Sequence, residues 1–347
     1  MSGRLTISLS ALGQNYRTLR DSAHAEVACV VKANAYGLGV DTVVPHLARE
    51  GCRTFFVASL REARRVRELI DPESPARIFV LEGILSGEEV RHFIDSDLVP
   101  VVNHAQQLAL VPPGYPYALH IDTGMERLGL PYADGCKLLE QGARPEIILS
   151  HLTSADDLAS STTSDQVAKI SALRRFDIPL SLANSAGVLL HEIPEDIART
   201  GIALYGGSPS GDCRDSLASV VKLEAPVLQV RSVPPGTPVG YGGAYRATEE
   251  EVLATVGIGY ADGVPRLLSN RGHIWHERAL SIVGRISMDM LHVRLAEGQV
   301  LVGDYVEIIG AHRETHIDTV AAHAQTLSYE VLTGLDAAGR LERIVVA

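Results

Sequence analysis

The stretch EVACVVKANAYGLG, residues 26–39, is a short apolar run that ends at Lys32 and leads into a glycine-containing segment. A continuous apolar run of this kind is typical of a strand buried on both faces of a parallel sheet. The same theme recurs up to about residue 206, with amphipathic segments of helical spacing, such as SDQVAKISALRRF, between the runs. The further runs are RTFFVAS (53–59), RIFVLE (77–82), LVPVV (98–102), YALHID (117–122), EIILSH (146–151), LSLAN (180–184) and IARTGIALYG (197–206).

Eight such strand–helix units in about 200 residues fit a (β/α)8 barrel of the TIM type. An open doubly wound sheet is the competing α/β architecture. That fold normally carries a Gly-rich loop after its first strand, and KANAYGLG matches the G-x-G-x-x-G pattern poorly. We therefore predict an α/β barrel as the first domain.

The alternation of apolar runs and helical segments ends at about residue 220. Segments such as KLEAPVLQVRSV and DYVEIIG alternate with Gly and Pro turns, which predicts a mostly β C-terminal domain. The opening RLTISL also has the pattern of a strand. We expect residues 1–10 to pair with the C-terminal domain, residues 11–222 to form the barrel and residues 223–347 to form the β-rich domain.

Composition restricts the class of protein. The 31 Lys and Arg residues against 42 Asp and Glu give a net charge of −11, which does not favour nucleic-acid binding. No run approaches the ~20 apolar residues that span a bilayer, and the N-terminus lacks the apolar core of a signal peptide. None of the four cysteines forms a CxxC pair, and none lies near a histidine at the spacing of metal ligands. We expect a cytoplasmic protein that binds neither membrane nor metal.

Lys32 is the first candidate for chemistry. Barrel enzymes collect their catalytic groups where strands end, and burying an ammonium group at the end of an apolar strand is costly. One interpretation is a lysine whose ammonium reaches solvent at the barrel rim. The other is a lysine whose amine, freed by desolvation, attacks an aldehyde to form a Schiff base.

The motif around Lys32, VVKANAYGLG (30–39), closely resembles the pyridoxal phosphate (PLP) attachment motif of alanine racemases. Other segments resemble that family's further motifs in the same order and extend over nearly the whole chain: HIDTGMERLG (120–129), SHLTSADD (150–157), ANSAG (183–187), RTGIALYG (199–206), GIGYADGVPR (257–266), GRISMDM (284–290) and LSYEVLTGL (327–335). The resemblance implies a PLP-binding barrel, a β-rich C-terminal domain and a homodimer whose active sites draw on both subunits.

The resemblance also implies roles for single residues. Lys32 would hold PLP as a Schiff base and serve as one acid/base group, and Tyr260, supplied by the partner subunit, would be the other. A racemase needs two such groups because it must reach Cα from both faces. The implied cofactor-binding residues are Lys32, Tyr36, His151, Asn184, Ser185, Arg199, Gly201, Ile202 and Tyr329. The implied substrate-binding residues are Arg127, Met288 and Asp289, with Tyr241 and Tyr245 near the entrance.

Two of these assignments agree with independent physics. Phosphate sites of barrels tend to follow strands seven and eight, where Asn184, Ser185 and Gly201 fall. Arg199 would face the pyridine nitrogen of PLP. Arginine stays charged and cannot accept a proton, so the ring nitrogen would stay unprotonated, which favours racemisation over transamination.

The chain departs from the family pattern on the substrate side. His120 stands where many alanine racemases have a lysine, often carbamylated, that supports the substrate-binding arginine, so Arg127 must be held by another device. Ser287 stands where a cysteine is common. These departures leave open whether the substrate is alanine, serine or another small amino acid.

The sequence therefore predicts a PLP-dependent racemase that interconverts L- and D-alanine, with D-alanine biosynthesis as the associated process. A barrel-type PLP decarboxylase or D-amino-acid aldolase and a non-catalytic PLP carrier are the alternatives. The tyrosine of GYADG, the arginine of RTGI and the C-terminal domain argue against them. His312, His316 and His323 have partial metal-site spacing without a convincing third ligand, and we interpret them as surface residues of a loop and helix.

Overall fold

The computed structural model describes residues 3–295 and 300–347. Its first layer is a ring of parallel strands in the order β10-β2-β3-β4-β5-β6-β8-β9. The strands are β2 (Glu26–Val30), β3 (Thr54–Val57), β4 (Arg77–Val80), β5 (Val99–Val102), β6 (Ala118–Asp122), β8 (Ile147–Leu149), β9 (Leu180–Ser181) and β10 (Ile197–Thr200), and β7 (Leu130–Pro131) pairs with β6 from outside this ring.

Backbone hydrogen bonds close the ring between its last two strands. The N–H of Arg199 donates to the carbonyl of Ala183 at 2.9 Å, and that of Asp196 donates to Leu180 at 2.9 Å. The predicted barrel is thereby confirmed, and the doubly wound alternative, which has an open sheet, is excluded.

In a barrel of this type alternate strand residues point inward, and here those residues form a buried apolar cluster. Phe56 and Phe79 stack at its centre, with ring centroids 4.8 Å apart and planes at 12°. The rest of this buried cluster comes from the neighbouring strands: Ala28, Val99, Val101, Ala118, Ile147, Leu149 and Ile197.

Helices cover the outside of the barrel. Helix α4 shows why the sequence forms them: Ser59 and Glu62 form a capping box at its start, and Ala63 and Val66 face the core. The helices of the barrel are α1 (Leu9–Ser22), α3 (Val40–Arg49), α4 (Leu60–Leu69), α5 (Val90–Asp95), α6 (Ala105–Leu108), α7 (Tyr132–Glu140), α8 (Thr162–Ser171) and α9 (Ser185–Leu190), whereas the short segment α2 (Lys32–Tyr36) has left-handed backbone. Two further helices, α10 (Ile317–His323) and α11 (Ser328–Gly334), belong to the C-terminal part. Among the described residues, none of the helices combines the length and the hydropathy that a transmembrane segment needs.

The C-terminal part is mostly β, as predicted. Its sheet has the order β14-β17-β16-β15-β18-β11-β1-β19, and β14 also pairs with β11. The strands are β1 (Arg4–Ser8), β11 (Val221–Val233), β14 (Glu251–Val256), β15 (His273–His276), β16 (Arg278–Val283), β17 (Leu291–Leu295), β18 (Tyr305–Ile309) and β19 (Glu342–Val346), with a separate pair β12 (Pro238–Val239) and β13 (Tyr245–Arg246). The N-terminal β1 pairs antiparallel with β11 and parallel with β19.

The histidines of this part correct one expectation. His316 is not a surface residue: it is 5% exposed and caps the N-terminus of α10 by accepting from the N–H of Asp318. His312 stacks on Trp275 with ring centroids 4.2 Å apart, and its Nδ1 lies 2.9 Å from Glu307. Among the residues described, no group of three or more His, Cys, Asp or Glu side chains could hold a metal ion.

Candidate active site

The carboxyl ends of the barrel strands bring the candidate residues together. Lys32 follows β2, His151 follows β8, and Asn184 and Ser185 follow β9, whereas Arg199 lies within β10. These residues approach from different strands, so the closed barrel determines their arrangement.

Lys32 begins a left-handed helical turn. Ala33, Asn34, Ala35 and Tyr36 all have φ between 53° and 55°, and Gly37 continues at 85°. Such backbone costs roughly 1–2 kcal/mol for each non-glycine residue. Strain of this kind is found where a functional site demands an unusual backbone.

The turn delivers Tyr36 into a tightly packed pocket. The ring of Tyr36 stacks on Tyr205 at 4.6 Å and lies 6.0 Å from the ring of Tyr329 on α11. A Cβ on Gly201 would lie 2.3 Å from the Tyr36 hydroxyl, so position 201 accepts only glycine at this approach. Burial raises the pKa of Tyr329 to about 12 and raises that of Tyr36 further, so both rings are neutral phenols.

Two backbone N–H groups converge on Ser185 at the start of α9. The Ser185 hydroxyl accepts from the N–H of Gly201 at 3.1 Å and of Ala203 at 3.3 Å. Asn184 caps α9 by accepting from the N–H of Gly187 at 3.0 Å. Ile202, 1% exposed, lies between the two converging groups and anchors this loop in the core.

Arg199 is a buried cation held by oxygen acceptors. Its guanidinium donates to the Ser181 hydroxyl at 2.5 Å and to the carbonyl of Ser150, and it lies 3.5 Å from Nδ1 of His151. Burial lowers the pKa of Arg199 to about 10, with Glu195 acting in the opposite direction, so the group stays charged at neutral pH.

The pocket around Lys32 is electropositive. Burial, followed by the charges of Arg127 and Arg199, lowers the pKa of the Lys32 amine, while Glu62 acts to raise it. Burial and the charges of Arg199, Arg127 and Lys32 lower the pKa of His151 to about 3. His151 is therefore neutral, and the amine of Lys32 loses its proton more easily than an exposed lysine.

Arg127 extends from the loop that follows β6. The Asp122 carboxylate organises this loop by accepting from the N–H groups of Gly124, Met125 and Glu126 at 2.7–2.8 Å. Arg127 is an exposed residue. His120, on β6, is buried, and burial followed by the charge of Arg199 lowers its pKa to about 4.

Tyr260, Met288 and Asp289 form a second group on the C-terminal domain. The N–H of Tyr260 donates to the carbonyl of Ser287 at 3.1 Å, and Asp289 accepts from Arg340 at 2.7 Å. Tyr260 and Met288 are 43% and 52% exposed. Ser287 is occupied within its own turn, since its hydroxyl donates to the carbonyl of Met290 at 2.8 Å.

The two tyrosines expected near the entrance differ in environment. Tyr241 is 70% exposed, whereas the Tyr245 hydroxyl donates to the Glu251 carboxylate at 2.7–2.8 Å. The sequence analysis did not identify three residues that contact the site. Glu62 accepts from the N–H of Ala33, Asn103 lies 2.8 Å from His120, and Tyr205 stacks on Tyr36. Only Glu62 carried a usable signal, because Ser59 and Glu62 have the spacing of a capping box.

Comparison with known proteins covers both parts of the chain. The profile of the alanine racemase N-terminal domain matches residues 7–209, and that of the alanine racemase C-terminal domain matches residues 220–345. A catabolic alanine racemase of Rhizobium johnstonii is 43% identical, with 96% of this chain and 93% of that protein covered. A biosynthetic alanine racemase of Agrobacterium fabrum is 38% identical, with 96% and 91% covered.

Solved structures agree over the full length. The crystal structure of alanine racemase from Bartonella henselae, with covalently bound pyridoxal phosphate, has a TM-score of 0.90 and 36% identity and covers 100% of both chains. That of the biosynthetic alanine racemase from Pseudomonas aeruginosa has a TM-score of 0.92 and 34% identity and covers 100% of this chain and 99% of the other. With both domains matched in sequence and in fold, the chain belongs to the alanine racemase family.

Proposed function

We propose that this chain is a PLP-dependent alanine racemase that interconverts L- and D-alanine. The observation that carries the proposal is Lys32, a half-buried lysine that follows β2, whose pKa is lowered by desolvation and by the charges of Arg127 and Arg199. An amine of this kind is suited to covalent attachment of an aldehyde cofactor. Family membership supplies the reaction class.

The pocket fits PLP at two ends. At the first end, Gly201 has no Cβ, which would otherwise clash with the Tyr36 hydroxyl. The N–H groups of Gly201 and Ala203, which converge on Ser185, could therefore approach a phosphate. Tyr36, Asn184, Ser185, Ile202 and Tyr329 complete this proposed phosphate site. The buried cation of Arg199 offers only donors, and we assign it to the pyridine nitrogen, with His151 beside the ring.

PLP, when bound, supplies an electron-withdrawing ring that acidifies the Cα–H bond of the amino acid attached to it. In the proposed mechanism, Nζ of Lys32 holds or delivers the Cα proton on one face, and the hydroxyl of Tyr260 does so on the other. The Arg127 guanidinium and the backbone N–H of Met288 orient the substrate carboxylate, and Asp289 shapes the pocket beside them. A charged guanidinium cannot accept a proton, so Arg199 would leave the pyridine nitrogen unprotonated. An unprotonated ring favours return of the proton to Cα over other reactions.

The two-base arrangement also supports a homodimer. Tyr260 and Met288 are partly exposed on the C-terminal domain, and we propose that a second copy of the chain brings them to the mouth of the barrel. We likewise keep the division into residues 1–10, 11–222 and 223–347 as a proposal, supported by the pairing of β1 with β11 and β19. Cys29, Cys52 and Cys136 form no disulfide in the described structure, which supports a reducing, cytoplasmic setting, and the reversible reaction can serve D-alanine biosynthesis.

The test is a substrate panel. The purified enzyme is incubated with L-alanine, L-serine and larger L-amino acids, and the products are separated by chiral chromatography. Alanine should racemise fastest. Borohydride reduction followed by peptide mapping should place the cofactor on Lys32, with Lys169→Ala as a lysine control. Racemisation of none of the panel would refute the proposal, and a preference for serine would correct its substrate.

A further inference from the structure

The left-handed turn that carries Lys32 is unusual in its length. Elsewhere in the described chain, non-glycine residues with positive φ occur singly, as at Asp97 and Asp177, whereas here Ala33 to Tyr36 follow one another. Each residue in such a conformation is strained by contact between its Cβ and the backbone. A run of them persists only where neighbouring groups hold it.

The turn's own hydrogen bonds hold only part of it. The N–H of Ala35 donates to Val31 at 3.0 Å, and that of Gly37 donates to Ala33 at 2.8 Å. The N–H of Ala33, at the start of the strained run, donates instead to Oε1 of Glu62 at 2.7 Å. The carboxylate therefore contacts the residue next to Lys32.

The second oxygen of Glu62 is tied to the neighbouring loop. Oε2 accepts from the N–H of Ala58 at 2.8 Å and of Ser59 at 3.3 Å, within the capping box of α4. One carboxylate thus joins the loop after β2 to the loop after β3. Glutamine has a single acceptor oxygen, so it could serve one of these loops but not both.

We propose that Glu62 is a positioning residue of the active site, whose carboxylate holds the strained turn so that Lys32 and Tyr36 both point into the barrel mouth. Lys32 and Tyr36 lie at the two ends of the turn, and each is assigned to a different end of PLP. The inference rests on the proposed function, because its consequence is the geometry of PLP binding.

The experiment compares PLP affinity of the apoprotein for the wild type, Glu62→Gln and the control Glu68→Gln, followed by the visible absorption of bound PLP. Glu68 lies on the same helix, and its side chain is 59% exposed. Losing a charge-assisted hydrogen bond to the turn should weaken PLP binding about tenfold or more in E62Q. E68Q should stay within about twofold of the wild type, as exposed substitutions do.

A rescue variant separates positioning from general stability. Ala33→Gly removes the Cβ that makes the left-handed conformation costly, so E62Q/A33G should regain part of the lost PLP affinity. If E62Q does not fold, Glu62→Asp takes its place, since its shorter side chain also cannot bridge both loops.

Three results bear on the inference. Weak PLP binding by E62Q with recovery in E62Q/A33G supports it. Wild-type affinity in E62Q, or weak binding that A33G leaves unchanged, overturns it while the proposed function stands. If the wild type itself binds no PLP, the proposed function fails first, and this inference fails with it.

Discussion

Asn103 fixes the tautomer of His120. The Nδ2 atom of Asn103 donates to the carbonyls of Leu81 at 2.9 Å and Val101 at 3.1 Å, so its Oδ1 must face Nδ1 of His120, 2.8 Å away. An amide oxygen only accepts, and Nδ1 of His120 therefore carries the proton. This leaves Nε2 as a buried lone pair without a hydrogen-bond partner in the described structure.

The bond between Asn103 and His120 predicts a measurable coupling. We expect Asn103→Leu and His120→Phe to destabilise the fold singly, because each strands a buried polar partner. The double variant should cost less than the sum of the two, with a coupling free energy of about 0.5–3 kcal/mol. Urea denaturation of the four apoproteins measures it. Strict additivity would show that the two side chains do not interact in solution.

Two histidines with lowered pKa values, the buried His120 and the half-buried His151, predict loss of stability in acid. The folded pKa values, about 4 for His120 and about 3 for His151, lie below the ordinary 6.5. As the pH falls below 6.5, the unfolded chain takes up protons that the folded chain refuses, so the free energy of unfolding decreases. Between pH 7 and pH 5 each histidine should remove about 2 kcal/mol.

Single substitutions isolate this effect from that of other titrating groups. His151→Asn should flatten the decline in the urea midpoint of the apoprotein between pH 7 and pH 5. His24→Asn, at an exposed position, is the matched control and should follow the wild type. If the decline in the urea midpoint is as steep in His151→Asn as in the wild type, then His151 takes up its proton equally in the folded and the unfolded chain.

Tyr260→Phe tests the two-base proposal. Removing one of two acid/base groups should lower kcat by about 10²–10⁴-fold. The defect should be one-sided: one enantiomer of alanine should still exchange its Cα hydrogen with deuterated solvent through Lys32, and the other should not. Tyr132→Phe, which loses a 2.8 Å hydrogen bond to the carbonyl of Lys169 and a contact with Cys136, should retain activity. Equal loss of exchange from both enantiomers would assign Tyr260 another role.

The barrel can be predicted from the sequence, because each buried strand is a continuous apolar run. Such a run can be recognised without knowing which strand it pairs with. The left-handed turn after β2 could not be predicted, since Ala33 and Ala35 disfavour positive φ and adopt it only under tertiary contacts. Asn34 tolerates positive φ, but a single asparagine does not indicate a run of such residues. The burial of His316 could not be predicted, because it depends on the packing of α10. Asn103 carried no signal either, because its partner lies 17 residues away on another strand.

Gly201→Ala tests the close approach of backbone and ring at the proposed phosphate site. The new Cβ would lie 2.3 Å from the Tyr36 hydroxyl and 3.1 Å from Cζ, and Tyr36, stacked on Tyr205, has little room to withdraw. Overpacking of this kind should cost about 1–3 kcal/mol of stability. Gly87→Ala is the control, since no atom lies within 4 Å of its added Cβ.

Adding Tyr36→Phe to Gly201→Ala removes the clashing oxygen, so part of the urea stability should return. PLP affinity should stay low, because the hydroxyl assigned to the phosphate is gone. Equal stability of the two alanine variants would mean that Tyr36 does not press on Gly201.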